Sequence, residues 1–308
     1  MNYRVLELLL IILALTLFSC TGKTPKPNIL WIIAEDFSPD AGCYGNKLVR
    51  TPNIDRLASE GRKFTKAFTS APSCCPSRSG FMTGMWQNAV CAPHQRPAVK
   101  KKLPEGVHVI TKYFRDAGYF CANLRDVEKV SYNRIGSGKD DFAFIPHERI
   151  WDSDQWEDLK THQPFYAQIS ILTTHRGSSW TKPAAMAEFQ VDPQLVEVPP
   201  YYPDIPVVRE DFADYYASMH ALDEAMGVLL ERLEEDGLAD NTVIMFMGDH
   251  GRPMLRGKQF LYEQGIRIPL IIRWPGEIQA GTVDDQLVSA LDFAPTFLRV
   301  AGVPLPSH

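Results

Sequence analysis

Short apolar runs alternate with amphipathic stretches along most of this chain. The run PNILWIIAED (27–36) is rich in branched residues and ends in two acids. Strands buried on both faces look like this, and the acids then sit at the carboxyl end. FYAQISI (165–171), NTVIMFMGDHG (241–251) and IPLIIRWPG (268–276) repeat the pattern, with YFCANL (119–124) and KFTKAFT (63–69) as weaker versions. Between them lie helical patterns. TPNIDRLASEG (51–61) predicts a short amphipathic helix with Gly61 as its C-terminal cap. VITKYFRDAGY (109–119) and LDFAPTFLRVAG (291–302) predict two more. The clearest helix is predicted from Arg209 to Asp236, where Phe212, Tyr215, Met219, Leu222, Met226, Leu229 and Leu233 recur every three to four residues before Gly237 ends it. PSRSGFMTG places Pro76 where a first helical turn tolerates it, and the proline-rich stretch Ser178–Val208 predicts a long loop.

The alternation predicts an α/β fold with a mostly parallel sheet covered by helices on both faces. In such sheets ligands bind beyond the carboxyl ends of the strands. Glu35-Asp36, His175-Arg176 and Asp249-His250 all fall there.

The N-terminus departs from this pattern. Arg4 precedes LLLIILALTLF (8–18), an apolar run too short for a comfortable membrane span, and LFSC ends it at Cys20. This resembles a bacterial lipoprotein signal. It predicts a signal peptide over 1–20 with Cys20 lipidated as membrane anchor, a tether over 21–26, and an exported periplasmic or cell-surface protein. An ordinary secretory signal also predicts export. The 308 residues are 45% hydrophobic and carry a net charge of −5. That is ample for a sizeable core and lacks the basic excess of a nucleic-acid binder. Cys43, Cys74, Cys75, Cys91 and Cys121 remain after Cys20. Five is odd, so one at least is unpaired, and their spacing does not suit a zinc cluster.

Glu35-Asp36 and Asp249-His250 occupy equivalent strand ends. Each pair alone reads as a cap or a solvated turn. Together they predict a site for a hard divalent ion, Ca²⁺ or Mg²⁺, with oxygen ligands and one imidazole. Arg78, Lys139, His175 and Lys258 would each be an ordinary solvated group alone. Converging on a metal, they would bind an oxyanion.

Cys74-Cys75-Pro76-Ser77-Arg78 with Thr83-Gly84 resembles the sulfatase signature Cys-x-Pro-Ser-Arg and its downstream Thr-Gly. The resemblance extends from PNILWIIAED through GCYGNKLVRTPNIDRLASEG to SALDFAPTFLRVAG. It implies an alkaline phosphatase-like fold and a catalytic domain over 27–308. It also implies that a maturation enzyme converts Cys74 to formylglycine, whose hydrated aldehyde attacks sulfur and then expels sulfate. Glu35, Asp36, residue 74, Asp249 and His250 would be the metal ligands. Arg78 would balance charge around the nucleophile, and Lys139, His175 and Lys258 would bind sulfate, with His175 or Lys258 protonating the leaving atom. The family more often has Asp-Asp and Asp-Asn at the two metal pairs, and a histidine where Asp141 stands, so that histidine's role is left unfilled.

VPPYYPDIPVVREDFADYY and the helix after it resemble the branch holding heparan N-sulfatase and bacterial polysaccharide sulfatases. This implies release of sulfate from a sulfated carbohydrate, such as a glycosaminoglycan. Arg176 joins the substrate-binding set. His94 in APHQR is either a sugar contact or a loop residue, and RPAVKKK (96–102) either holds a polyanion or is a solvated face. The family's smaller C-terminal antiparallel subdomain is expected to be missing. A phosphate or phosphonate monoester hydrolase on the same fold, and a non-catalytic glycan-binding lipoprotein, are the alternative readings.

Overall fold

Strand β1 (Asn28–Ala34) is buried along its whole length and divides the interior in two. The computed structural model describes residues 26–130, 133–177 and 189–306. The expected signal segment with Cys20, the expected tether up to residue 25 and residues 178–188 of the predicted loop lie outside the described residues.

Leu30, Ile32 and Ala34 point to one side of β1, and Ile29, Trp31 and Ile33 to the other. This follows from the two-residue period of a strand. After β1 come α1 (Pro52–Glu60), β2 (Arg62–Phe68), α2 (Cys74–Thr83), β3 (Lys101–Lys102), α3 (Ile110–Asp116), β4 (Phe120–Val130) and β5 (Asn133–Ser137). Then follow β6 (Phe144–Ile145), α4 (Glu157–Thr161), β7 (Phe165–Ile171), α5 (Pro206–Glu235), β8 (Thr242–Gly248), α6 (Glu263–Ile266), β9 (Arg267–Arg273), β10 (Thr282–Ser289) and α7 (Phe293–Val300). The main sheet has eight strands in the order β10-β2-β9-β8-β1-β7-β4-β5. Of these only β9 and β5 run against the rest, so the sheet is mostly parallel, as the alternation predicts.

Helices cover both faces. Phe212, Met219, Leu222 and Met226 of α5 pack with Leu30 and Ile32. On the opposite face Trp31 meets Tyr166 and Phe297 edge-on, each with ring centroids 5.3 Å apart. Such pairs add to the burial of large rings.

Gly61 is the C-terminal cap of α1, as expected, and it is extended, with φ −131°. It is glycine because a Cβ there would lie 2.5 Å from the Ile272 carbonyl oxygen of neighbouring β9. Helix α5 starts at Pro206 rather than Arg209, because proline at the first helical position has no N–H to leave unpaired and a fixed φ. The predicted loop is correspondingly shorter.

The two elements on the α5 face are joined by a capping bond across the fold. Thr51 precedes α1 but makes no side-chain cap. Asp223 of α5 accepts instead from the Asn53 N–H at 3.0 Å and the Ile54 N–H at 2.8 Å. Burial outweighs these donors and raises the Asp223 carboxyl to about 6. Asp223→Ala leaves the helix N–H groups buried without an acceptor and is expected to cost about 2 kcal/mol in urea unfolding. The ordinary carboxyl value is 3.8, so the native chain holds an extra proton between that value and about 6 and loses stability as pH rises through this window. Asp223→Asn removes that loss, so the stability difference should shift toward the variant between pH 4 and pH 7. A pH-independent difference would contradict the assignment.

Candidate active site

The register of three parallel strands brings the acids together. Ala34 of β1 pairs with Gly248 of β8 on one side and with Ile171 of β7 on the other. All three strands therefore end at one level, and Glu35-Asp36, Thr173–Arg176 and Asp249-His250 emerge side by side. The chain turns sharply here: Asp36 has φ 53°, a left-handed value that non-glycine residues seldom adopt. Its own N–H donates to Asp249 Oδ1 at 2.9 Å, and Thr174 donates its hydroxyl to the Glu35 carbonyl.

Helix α2 aims its first residue into this cluster. Cys74 is fully buried at the N-terminus, and its Sγ lies 3.1 Å from His250 Nε2. Ser77, one turn on, donates its hydroxyl to the Asp249 carbonyl at 2.6 Å, tying the helix to the end of β8. Ser79 fixes the other side, accepting from the Ala143 N–H at 3.1 Å, and so holds the segment that carries Lys139 against the helix.

Three cations face three buried carboxylates. Arg78, 1% exposed, bonds Glu35, and its Nε stands 3.8 Å from Asp249 Oδ2. Lys139 bonds the other oxygen of Glu35. Lys258 Nζ donates to Asp36 Oδ1 at 2.7 Å and lies 3.4 Å from His175 Nε2. Burial would raise the Asp36 carboxyl, but His250 and Lys258 outweigh it and hold it at about 2. Burial pulls the Lys139 and Lys258 ammonium groups down, and Glu35 and Asp36 beside them overcome this and raise both. Burial also lowers His175, which leaves it a neutral imidazole beside a charged lysine.

The donor set fits a hard divalent cation. Ligand atoms of Asp36, Cys74, Asp249 and His250 lie within 4.8 Å of one another, as do those of Glu35, Asp36, Cys74 and His175. Asp249 Oδ2 is buried with no hydrogen-bond partner. His250 Nδ1 lies 2.9 Å from the Gly251 carbonyl, which can only accept, so Nδ1 carries a proton; Asp249 and Asp36 beside the ring favour its charged form, and an ion in the cluster would displace the Nε2 proton and take that lone pair. Asp36, residue 74, Asp249 and His250 can thus hold one ion, with carboxylate oxygens of the kind Ca²⁺ and Mg²⁺ require, while Glu35 falls in the overlapping group with His175.

A cavity of about 510 Å³ adjoins Lys258, lined by Tyr202, Phe212, Leu255, Phe260 and the Arg176–Asp211 pair. Arg176 donates its backbone N–H to Asp36 Oδ2 at 3.1 Å, while its guanidinium grips Asp211 at 2.9 and 2.7 Å. Its side chain belongs to the cavity wall. His94 stands exposed on a loop and is not drawn into the cluster. Sequence reasoning missed its neighbour Gln95, whose Oε1 accepts from Ser73 Oγ at 2.7 Å and the Cys75 N–H at 3.0 Å. No local spacing could reveal a contact made across 20 residues.

Comparison with known proteins places nearly the whole of the described fold in one family. The family description Sulfatase matches residues 27–303. The chain is 30% identical over 325 residues to an ulvan-active sulfatase of Formosa agariphila, covering 90% of this chain and 52% of that protein. It is 27% identical over 328 residues to the N-sulphoglucosamine sulphohydrolase of Homo sapiens, covering 96% and 64%. The chain thus spans between half and two thirds of these relatives' length. In fold it is similar to a phosphonate monoester hydrolase from Silicibacter pomeroyi, with TM-score 0.71, 18% identity, and coverage of 91% of this chain and 74% of that one.

Calcium at a hundredfold excess over its dissociation constant should add about 2.7 kcal/mol of stability, a rise of roughly 5–10 °C in Tm, reversed by chelator. Asp249→Ala should abolish the shift. Equal shifts in both proteins would rule out this cluster as the ion's site.

Proposed function

This chain belongs to the sulfatase family, and we propose that it hydrolyses a sulfate ester or N-sulfate of a sulfated carbohydrate through a formylglycine made from Cys74. The observation that carries the reading is the place of Cys74: a buried residue at a helix N-terminus, in contact with His250 and within ligand distance of two carboxylates. An ordinary buried cysteine has no use for such surroundings. A maturation enzyme would be the chain's transient partner. A lipid on Cys20 would hold it at the membrane as an exported protein, as the N-terminal pattern suggests.

A bound Ca²⁺ or Mg²⁺ ion would supply positive charge that favours a deprotonated hydroxyl at residue 74 and offsets charge on sulfate oxygens. The remaining work falls to side chains. Lys139 and Lys258 stand on either side of the cluster and can each donate to sulfate oxygens. Arg78 is held by Glu35 near Asp249 and keeps the buried charges balanced around residue 74. The His175–Lys258 contact of 3.4 Å supports a role for one of the pair as proton donor to the leaving sugar oxygen or nitrogen. The cavity beside Lys258 is apolar enough on its Tyr202 and Phe212 side to take the face of a pyranose.

Peptide mass spectrometry of protein co-produced with a maturation enzyme should find an aldehyde at residue 74, and only that fraction should release sulfate. Cys74→Ala should abolish release. An intact thiol with full activity, or glycan binding without sulfate release from matured protein, would overturn the proposal. Lys258→Ala should lower kcat by about 10²–10³. Aryl sulfate should be turned over in preference to aryl phosphate, and the reverse order would favour a phosphomonoesterase.

A further inference from the structure

The ion pairs do not stop at the buried cluster. Lys139 bonds Glu35, and its Nζ stands 3.6 Å from Asp141 Oδ2. Asp141 in turn takes Arg96 with both oxygens, at 2.9 Å from Nε and 2.8 Å from Nη2. Exposure shows where this series leads: Glu35 is 0% exposed, Lys139 14%, Asp141 11% and Arg96 57%. It runs from a buried carboxylate of the cluster out to solvent.

Two further observations fix Arg96 in place. Its neighbour Gln95 is bonded to Ser73 and Cys75 at the start of α2, so the loop is anchored to the helix that carries residue 74. Arg96 and Asp141 both have left-handed backbones, with φ 45° and 52°, although neither is glycine. Two such residues facing each other across an ion pair are not what a solvated surface pair requires. Asp141 occupies the Nε–Nη2 edge of the guanidinium. The Nη1–Nη2 edge is left, and its geometry matches a carboxylate or a sulfate bidentately.

We infer that Arg96, held by Asp141, is a specificity-determining residue that binds a second oxyanion on the substrate. This group is a further sulfate or a uronate carboxylate, on the sugar being desulfated or on the next one. The inference rests on the sulfatase reading above and narrows it to sugars carrying two negative groups. Asp141, two residues after Lys139, thus brings an arginine to the edge of the cluster.

The test uses the full chain, Arg96→Ala and Arg96→Lys. Three probes serve: a monosulfated hexosamine, a disulfated hexosamine and a monosulfated disaccharide containing a uronate. The matured wild type should prefer a doubly charged probe, and Arg96→Ala should reduce that kcat/KM preference about tenfold to a hundredfold. Arg96→Lys should restore only part of it, because an ammonium lacks the fork. Which of the two doubly charged probes loses its advantage identifies the oxyanion. Calorimetry in a Cys74→Ala background reads binding without turnover. If no matured protein releases sulfate but Arg96→Ala still weakens binding of a doubly charged sugar, the hydrolase reading falls and the anion subsite stands. An unchanged preference in Arg96→Ala, with sulfate released normally, overturns the inference.

Discussion

Three carboxylates with no exposed surface must be paid for, and the pairing of Glu35, Asp36 and Asp249 with cations is the constraint the rest of the molecule obeys. A buried charge without a partner costs several kcal/mol. Arg78, Lys139 and Lys258 supply the partners, and each comes from a different part of the chain. The same crowding leaves Asp249 Oδ2 without a hydrogen bond. Side-chain cations therefore balance the charge without filling the coordination, which is the condition a cation site needs.

The sheet makes this crowding possible. β1 lies between β8 and β7 in parallel register, so three strand ends deliver polar residues to one plane. Gly248 allows the close passage: a Cβ there would lie 2.2 Å from the Phe37 carbonyl oxygen. The two apolar clusters on either face hold the strands rigid, and rigidity matters because misplacing one carboxylate would leave its cation unpaired. The fold thus contributes position, and the loops after β1, β7 and β8 contribute chemistry.

Much of this was legible in the sequence. Apolar runs that end in Glu35-Asp36 or Asp249-His250 reveal both the strand and the end at which the polar cluster gathers. The long α5 pattern and the Cys74–Arg78 signature are equally local. Gly61 caps α1 as its place in the sequence suggests, but it also answers a strand that joins the sheet more than 200 residues later, which no local signal shows. Asp223 capping α1 and Asp141 holding Arg96 were not legible for the same reason. They are contacts across the fold, and nothing in the flanking residues marks them.

The adjacent cysteines show what local sequence leaves undetermined. Cys74 and Cys75 are both fully buried and both begin α2. Successive helical residues point about 100° apart, so their surroundings diverge. Cys75 turns into the apolar cluster with Trp31 and Phe81, where burial raises its thiol and keeps it inert. Cys74 turns toward His250 and the carboxylates. The chemistry assigned to one and withheld from the other follows from that single rotation, and the Cys75 backbone N–H, bonded to Gln95, helps to set it.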